Sequence, residues 1–174
     1  GVTSSLRLPN AFTDGPQTNS AAFVRTLLTN PIGQVNSYTD SDTGTTQYLF
    51  DGKGQSRFVK VPLESGEEYF LYTKYDTLGR LIEEGVVTQA WNASTLDTQV
   101  NKLDYPSLAD GAKVARTYTY DGDGSDPNNL GKLTKVITFN ISPVSESNLG
   151  ECRVTESWDY DVLGRVKTAS MAIS

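Results

Sequence analysis

Tyr75-Asp76-Thr77-Leu78-Gly79-Arg80-Leu81 returns as Tyr160-Asp161-Val162-Leu163-Gly164-Arg165-Val166. The shared order is aromatic, Asp, two variable residues, Gly, basic, apolar. A looser copy reads Phe50-Asp51-Gly52-Lys53-Gly54-Gln55, and a stretched one opens at Tyr120-Asp121 and resumes at Gly131-Lys132-Leu133. A degenerate copy reads Thr29-Asn30-Pro31-Ile32-Gly33-Gln34-Val35. The anchors stand at positions 30, 51, 76, 121 and 161, with spacings of 21, 25, 45 and 40 residues. The short spacings define a unit of about 20–25 residues, the size of a stacked supersecondary repeat. The long ones correspond to double units or units with insertions.

Each part of the motif has a physical reading. Tyr48 and Phe50, Tyr118 and Tyr120, and Trp158 and Tyr160 precede their anchors with period two, which places each pair on one face of a strand. Asp or Asn opens a turn because its side-chain oxygen accepts a backbone N–H two residues on. Gly three residues later suits a left-handed position, as in a type I turn followed by a bulge. The turn residues are therefore Asn30, Gly33, Asp51, Gly54, Asp76, Gly79, Asp121, Gly131, Asp161 and Gly164. Two turns are expected to centre on Thr77-Leu78 and Val162-Leu163. An isolated hairpin cannot bury its aromatic face. The expected fold is thus all-β: antiparallel β-hairpin repeats stacked into an extended twisted sheet, with one short helical insertion. The Arg after each Gly is placed to lie on a neighbouring Tyr ring. The competing fold is an ordinary β-sandwich with coincidental turns.

Composition supports strands and narrows function. Nine Tyr, six Phe, fifteen Gly and seven Pro in 174 residues favour strands and turns. The net charge of −6, without a basic block, argues against nucleic acid or an anionic membrane as partner. No stretch approaches the roughly 20 apolar residues of a membrane span. Nothing near Gly1 resembles a signal peptide, and the chain does not open on Met, so its start is expected to be cut. The absence of His removes Ser-His-Asp and Cys-His catalysis, HExxH zinc sites and every imidazole ligand. Cys152 is the single cysteine and cannot form an internal disulfide.

The two full copies resemble the YDxxGRL core of RHS or YD repeats, and Thr117-Tyr118-Thr119-Tyr120-Asp121 matches the strand that precedes it. The resemblance runs from about Thr26 to Ala169. It departs at Asn30, Gln34, Gln55 and Lys132, and in the long insertions. Such repeats build a long sheet that spirals into a hollow shell in bacterial RHS proteins, insecticidal toxin complexes and teneurins. The resemblance implies a structural wall segment of a secreted or cell-surface protein, with no catalytic residues and no cofactor. It implies neighbouring repeats of the same polypeptide, and an enclosed C-terminal toxin, as partners. Sheet edges cut from such a wall invite edge-to-edge self-association.

Residues 1–22 read as an irregular N-terminal arm and 23–174 as the hairpin array, with a helical insertion near 94–104. Ser94-Thr95-Leu96-Asp97 resembles a capping box. Leu96, Val100 and Leu103 follow at helical spacing, and Pro106 lies beyond. Trp91 is expected to pack in a core rather than hold a ligand. Asp121, Asp123 and Ser125 imitate the start of a calcium loop, but Asp126 stands where Gly is usual and Lys132 where the bidentate acid belongs. A water-facing polar insertion is the preferred reading of that loop, with calcium the alternative. Gly52-Lys53-Gly54 and Gly122-Asp123-Gly124 are GxG fragments without a nucleotide fingerprint. Asn92-Ala93-Ser94 and Asn140-Ile141-Ser142 fit the glycosylation sequon. Two other functions compete with the structural one. Exposed rows of Tyr48, Tyr118 and Trp158 would suit glycan binding or adhesion. A glycosidase would need two carboxylates about 5–10 Å apart across a cleft.

Overall fold

A computed structural model describes residues 3–7, 24–40, 43–62, 69–140 and 153–174. These form β1 (Thr3–Arg7), β2 (Val24–Thr29), β3 (Val35–Asp40), β4 (Gly44–Phe50), β5 (Ser56–Lys60), β6 (Phe70–Tyr75), β7 (Leu81–Val87), β8 (Ala112–Tyr120), β9 (Leu133–Phe139), β10 (Arg153–Tyr160) and β11 (Val166–Ile173). One short helix, α1 (Ala93–Asp97), interrupts them. Strand order follows chain order, so the fold is an open antiparallel hairpin sheet, the class read from the repeat. Two compact units divide the chain, Gly1–Phe70 with Trp91–Asn101, and Leu71–Ala90 with Lys102–Ser174.

Within 1–22, Thr3–Arg7 pairs with β2, Thr3 opposite Leu28 and Arg7 opposite Val24. The irregular-arm reading therefore fails for those five residues. Backbone pairing with an adjacent strand overrides their polar composition. Residues 8–22 lie outside the described residues, as do Cys152 and the Ile141-Ser142 half of the second sequon.

The first unit has a buried aromatic centre. The rings of Phe58 and Phe70 meet edge-on at 5.9 Å, and Phe70 meets Trp91 edge-on at 5.6 Å. Leu96 and Val100 are buried as well. Trp91, itself half-buried, thus packs against the buried Phe70. Phe58 pairs with Leu49, whereas Tyr48 pairs with Val59. Alternation along the strand puts the Phe58 centre and Tyr48 on opposite sheet faces. Tyr48 and Phe50 stack with centroids 6.4 Å apart. With Leu27, Val35, Tyr38 and Ser56 they line a depression of about 550 Å³.

The helix differs from its expected form. Asn92, not Ser94, is the N-cap, and its side-chain oxygen accepts the Thr95 N–H at 3.1 Å. The helix stops at Asp97 instead of running to Leu103. The Thr98 hydroxyl donates to the Thr95 carbonyl at 2.7 Å, the local bonding that makes Thr a poor helix interior residue. Leu103 is exposed, so the third apolar anchor is missing. Asn101 Oδ1 accepts the Gly52 N–H at 2.8 Å and ties the insertion to a repeat turn.

In the second unit Tyr72, Val86, Val87, Ala112 and Val136 are buried. Tyr72 donates to Glu83 at 2.9 Å, and Lys74 pairs with Glu83 at 2.8 Å. Burial, and then the Glu83 charge, push the Tyr72 phenol well above its ordinary pKa. The β7–β8 register shifts between Glu84 and Gly85. A Cβ at Gly85 would lie 2.2 Å from the Lys113 carbonyl oxygen and 2.9 Å from the Tyr72 ring. Only glycine permits that approach.

Candidate functional site

The repeated turn carries the most closely defined geometry in the molecule. At Asp76 the backbone N–H donates to the Arg80 carbonyl at 2.9 Å, and the Gly79 N–H donates back to the Asp76 carbonyl at 3.0 Å. Asp76 Oδ1 accepts the N–H groups of Leu78 and Arg80 at 2.9 and 2.8 Å. Its other oxygen accepts Arg80 Nε at 2.6 Å. Asp161 repeats the pattern: its Oδ1 accepts Leu163 and Arg165 N–H groups, both at 2.9 Å, and its Oδ2 accepts Arg165 Nε at 2.8 Å. Asp51 accepts the N–H groups of Lys53 and Gln55 in the same way. Gly54, Gly79 and Gly164 have φ of 81°, 83° and 74°.

Bulges complete the hairpins. Register shifts fall between Leu28 and Thr29, Leu49 and Phe50, Thr119 and Tyr120, and Asp159 and Tyr160. Each leaves one extra residue on the return strand, Asn36, Arg57, Thr134 and Lys167 in turn, a bulge separate from the one formed at the turn Gly.

Asn30 and Gln34 depart together from the Asp and Arg positions. Asn30 Oδ1 accepts the Ile32 and Gln34 N–H groups at 3.2 and 2.9 Å. Asn30 Nδ2 donates to Gln34 Oε1 at 2.8 Å. An amide pair thus replaces the ion pair without altering the turn, and Gly33 keeps a φ of 86°.

The stretched copy closes around its insertion. Asp121 donates its N–H to the Lys132 carbonyl at 2.9 Å, and its Oδ1 accepts the Gly131 N–H at 2.6 Å. Lys132 therefore occupies the position of Arg80. Asp121 itself has a φ of 67°, and Gly131 one of 75°. The insertion is anchored by buried Asn129, whose Nδ2 donates to Asp159 at 3.3 Å and whose Oδ1 accepts the Tyr160 N–H at 3.2 Å.

The oxygens of the candidate calcium loop have partners within the chain. Both Asp121 carboxylate oxygens face the Arg80 guanidinium, at 3.2 and 3.0 Å. Asp123 Oδ1 accepts the Ser125 N–H and hydroxyl at 2.9 and 2.5 Å. Among the described residues no cluster of three acidic or thiol side chains is placed to hold a metal.

A further relation links successive turns, and sequence reading anticipated only part of it. The residue after the turn Gly reaches the next hairpin. Gln34 Nε2 donates to the Gly54 carbonyl at 2.8 Å. The Arg80 guanidinium lies over the Tyr120 ring at 4.5 Å while pairing with Asp121. Lys132 Nζ lies over the Tyr160 ring at 5.8 Å. The Arg-on-Tyr contact was legible in the motif. The roles of Gln34 and Asn129 were not, because neither has the residue type that the repeat leads one to expect.

Electrostatics follow this wiring. Desolvation raises the Asp76 pKa, but the backbone and side-chain hydrogen bonds from Arg80, with its charge, outweigh it and hold the carboxyl below the ordinary range. The Arg80 hydrogen bond, and then the Gly131 N–H, lower Asp121. The Arg165 backbone N–H, and then its side chain, lower Asp161.

The aromatic row expected for sugars is not laid out on solvent. Tyr48, Tyr118 and Trp158 are each half-buried. The Tyr118 hydroxyl already donates to Glu84 at 3.0 Å. Among the described residues no helix is long and apolar enough to cross a membrane.

No family model matches the sequence, and no curated protein sequence matches it. Solved structures resemble the chain only at TM-scores below 0.5. A crystal structure of TcdB2-TccC3 aligns with a TM-score of 0.47 at 15% identity, over 82% of this chain and 6% of that one. The same complex without its hypervariable C-terminal region aligns at 0.44 and 12%, over 90% of this chain and 9% of that one. A Photorhabdus luminescens Tc holotoxin pore carrying a TccC3 substitution aligns at 0.23 and 14%, over 98% and 10%. The chain thus spans a tenth or less of the length of these structures.

Proposed function

We propose that this chain is a structural, non-catalytic segment of a larger secreted or surface repeat protein of the RHS/YD kind. It would form part of a β-sheet wall that encloses or presents a toxin or effector region. The observation that carries the reading is the link between turns. The same side-chain position reaches the next hairpin at Gln34, Arg80 and Lys132, although the three residues differ. A fixed position carrying three different residue types fits an array whose repeats must stay in step. The acidic anchors are consumed in holding turns, which leaves them unsuited to acid–base work on a substrate. Glycan binding is the less favoured reading, since its candidate aromatics are half-buried.

Electron cryo-microscopy of the complete parent polypeptide tests this reading. The expected result is a wall in which this segment continues into further hairpins around an internal space. A free-standing domain with both sheet edges in solvent would overturn it, as would specific binding on a glycan array.

A further inference from the structure

The depression over β2–β5 has a chemistry of its own. Leu27 pairs with Tyr38, and Tyr38 pairs with Thr46. Tyr48 and Phe50 follow Thr46 at period two, so Tyr38, Tyr48 and Phe50 share one sheet face. The three half-buried rings line a hollow of about 550 Å³ with Leu27, Val35 and Ser56, all within the first unit. Elsewhere in the chain an aromatic residue at the Phe50 position carries a cation. The residue after one turn Gly reaches the ring that ends the first strand of the next hairpin. Arg80 lies 4.5 Å from the centre of Tyr120, and Lys132 5.8 Å from that of Tyr160. In the first of these links the residue is Gln34, which is neutral, and its amide is committed to Asn30 and to the Gly54 carbonyl. Among the described residues no cationic side chain lies over Tyr48 or Phe50. Arg25 lies over Tyr38 at 6.0 Å, but Asp40 pairs with it at 2.7 Å and offsets its charge.

We propose that this hollow binds a small organic cation of the quaternary ammonium class, with Tyr48 and Phe50 as its platform. Aromatic ring faces carry negative potential and attract a cation, most strongly where water is partly excluded. The chain itself meets that demand at Tyr120 and Tyr160 with its own basic side chains, and Gln34 does not meet it at Phe50. The alkyl groups of a quaternary nitrogen match the apolar surface of Leu27 and Val35. A primary ammonium fits less well. It holds its water strongly and needs three acceptors, which a lining of rings and aliphatic chains does not supply. A neutral apolar molecule could fill the hollow but would gain nothing from the charge distribution of the rings. This inference goes beyond the wall reading and does not depend on it.

The test is an NMR titration of the whole chain at constant ionic strength. The probe is choline chloride, and the control is the isosteric alcohol in which carbon replaces the choline nitrogen. The expected result is saturable shifts of the Tyr38, Tyr48 and Phe50 resonances, with choline bound about tenfold more tightly than the neutral alcohol. Phe50→Leu keeps the hollow apolar. It should remove most of the preference for choline and change alcohol binding little, with Tm as the check on folding. Asn30→Asp combined with Gln34→Arg places a cation where Arg80 stands relative to Tyr120. That double variant should weaken choline by a similar factor, because the ring is then served from within the chain. Equal affinity for choline and the alcohol would mean that the hollow is merely apolar, and it overturns the proposal. So does the absence of saturable shifts, or choline binding undiminished in both variants. None of these failures touches the wall reading, which the parent polypeptide tests independently.

Discussion

Arg80 and Asp121 lie 41 positions apart in sequence and share a two-pronged ion pair, Nη1 to Oδ1 at 3.2 Å and Nη2 to Oδ2 at 3.0 Å. The same guanidinium closes its own turn through Asp76. One side chain thereby fixes a turn and the register of the next hairpin. The two carboxylates should couple through it. Asp76→Asn and Asp121→Asn should each lower Tm by a few degrees, and the double variant should lose less than their sum. Strict additivity in a double-mutant cycle would show that Arg80 serves the two turns independently.

The depressed acids give a pH dependence of defined sign. Asp76, Asp121 and Asp161 have folded pKa values below their ordinary ones. Protonation is therefore harder in the folded chain than in the unfolded one, where Asp titrates near 3.9. The stability they contribute is fully present above the unfolded value and is lost as pH falls through the folded values. Urea midpoints should be flat from neutrality to about pH 5 and then drop towards pH 2. Asp161→Asn should lower the plateau and shallow the drop. A drop of unchanged depth would locate the acid sensitivity elsewhere.

The turn glycines can be tested without touching a charge. Gly79 and Gly164 sit at φ of 83° and 74°. An L-residue in the left-handed region costs roughly 1–2 kcal/mol, and a β-branched one more. Gly79→Val and Gly164→Val should each lower the urea midpoint with little change in slope. Equal midpoints for wild type and both variants would remove the turn assignment.

Gly85 is sensitive for a different reason. It needs no unusual φ, yet a Cβ there would lie 2.2 Å from the Lys113 carbonyl oxygen. That atom is backbone and cannot step aside. Gly85→Ala should cost about 1–3 kcal/mol, in the range of core overpacking. Gly124→Ala, where no atom lies within 4 Å, should show only the backbone cost of its φ of 80°. Thermal unfolding of the two variants side by side separates crowding from conformational strain, and equal losses would rule out crowding at Gly85.

What could be read before the structure was what repeats. The five anchors, the left-handed glycines and the hairpin order follow from residue type at fixed offsets, so Tyr75–Leu81 and Tyr160–Val166 sufficed for the fold. Contacts set by three-dimensional neighbours were hidden. Phe58 and Phe70, not the aromatics beside the turns, make the buried centre of the first unit, because the helix insertion places Leu96 and Trp91 there. Asn92 displaced Ser94 as the cap since two residues two positions apart offered similar oxygens and only the chain path chose between them. The partner of the Asp121 carboxylate, Arg80, lies 41 positions away and is set by the path of the chain.

The paired departure at Asn30 and Gln34 offers the sharpest test of the turn wiring. Gln34 is committed at both ends: its Oε1 accepts Asn30 Nδ2, and its Nε2 donates to the Gly54 carbonyl. Asn30→Asp restores the usual anchor residue, yet it places a carboxylate oxygen against the Gln34 oxygen. Rotating the Gln34 amide would relieve that clash only by breaking the bond to Gly54. The single substitution should therefore destabilise the chain although it moves the sequence towards the repeat consensus. Adding Gln34→Arg supplies Nε to the new carboxylate, as Arg80 does to Asp76, and leaves its outer NH groups able to reach the Gly54 carbonyl. The double variant should recover the midpoint of the parent chain or exceed it, and Gln34→Arg alone should lose stability because Asn30 Nδ2 then faces a cation. Denaturation of the four proteins closes the cycle. A stabilising Asn30→Asp single variant would refute the account, since it would mean that Gln34 is not held between the two turns.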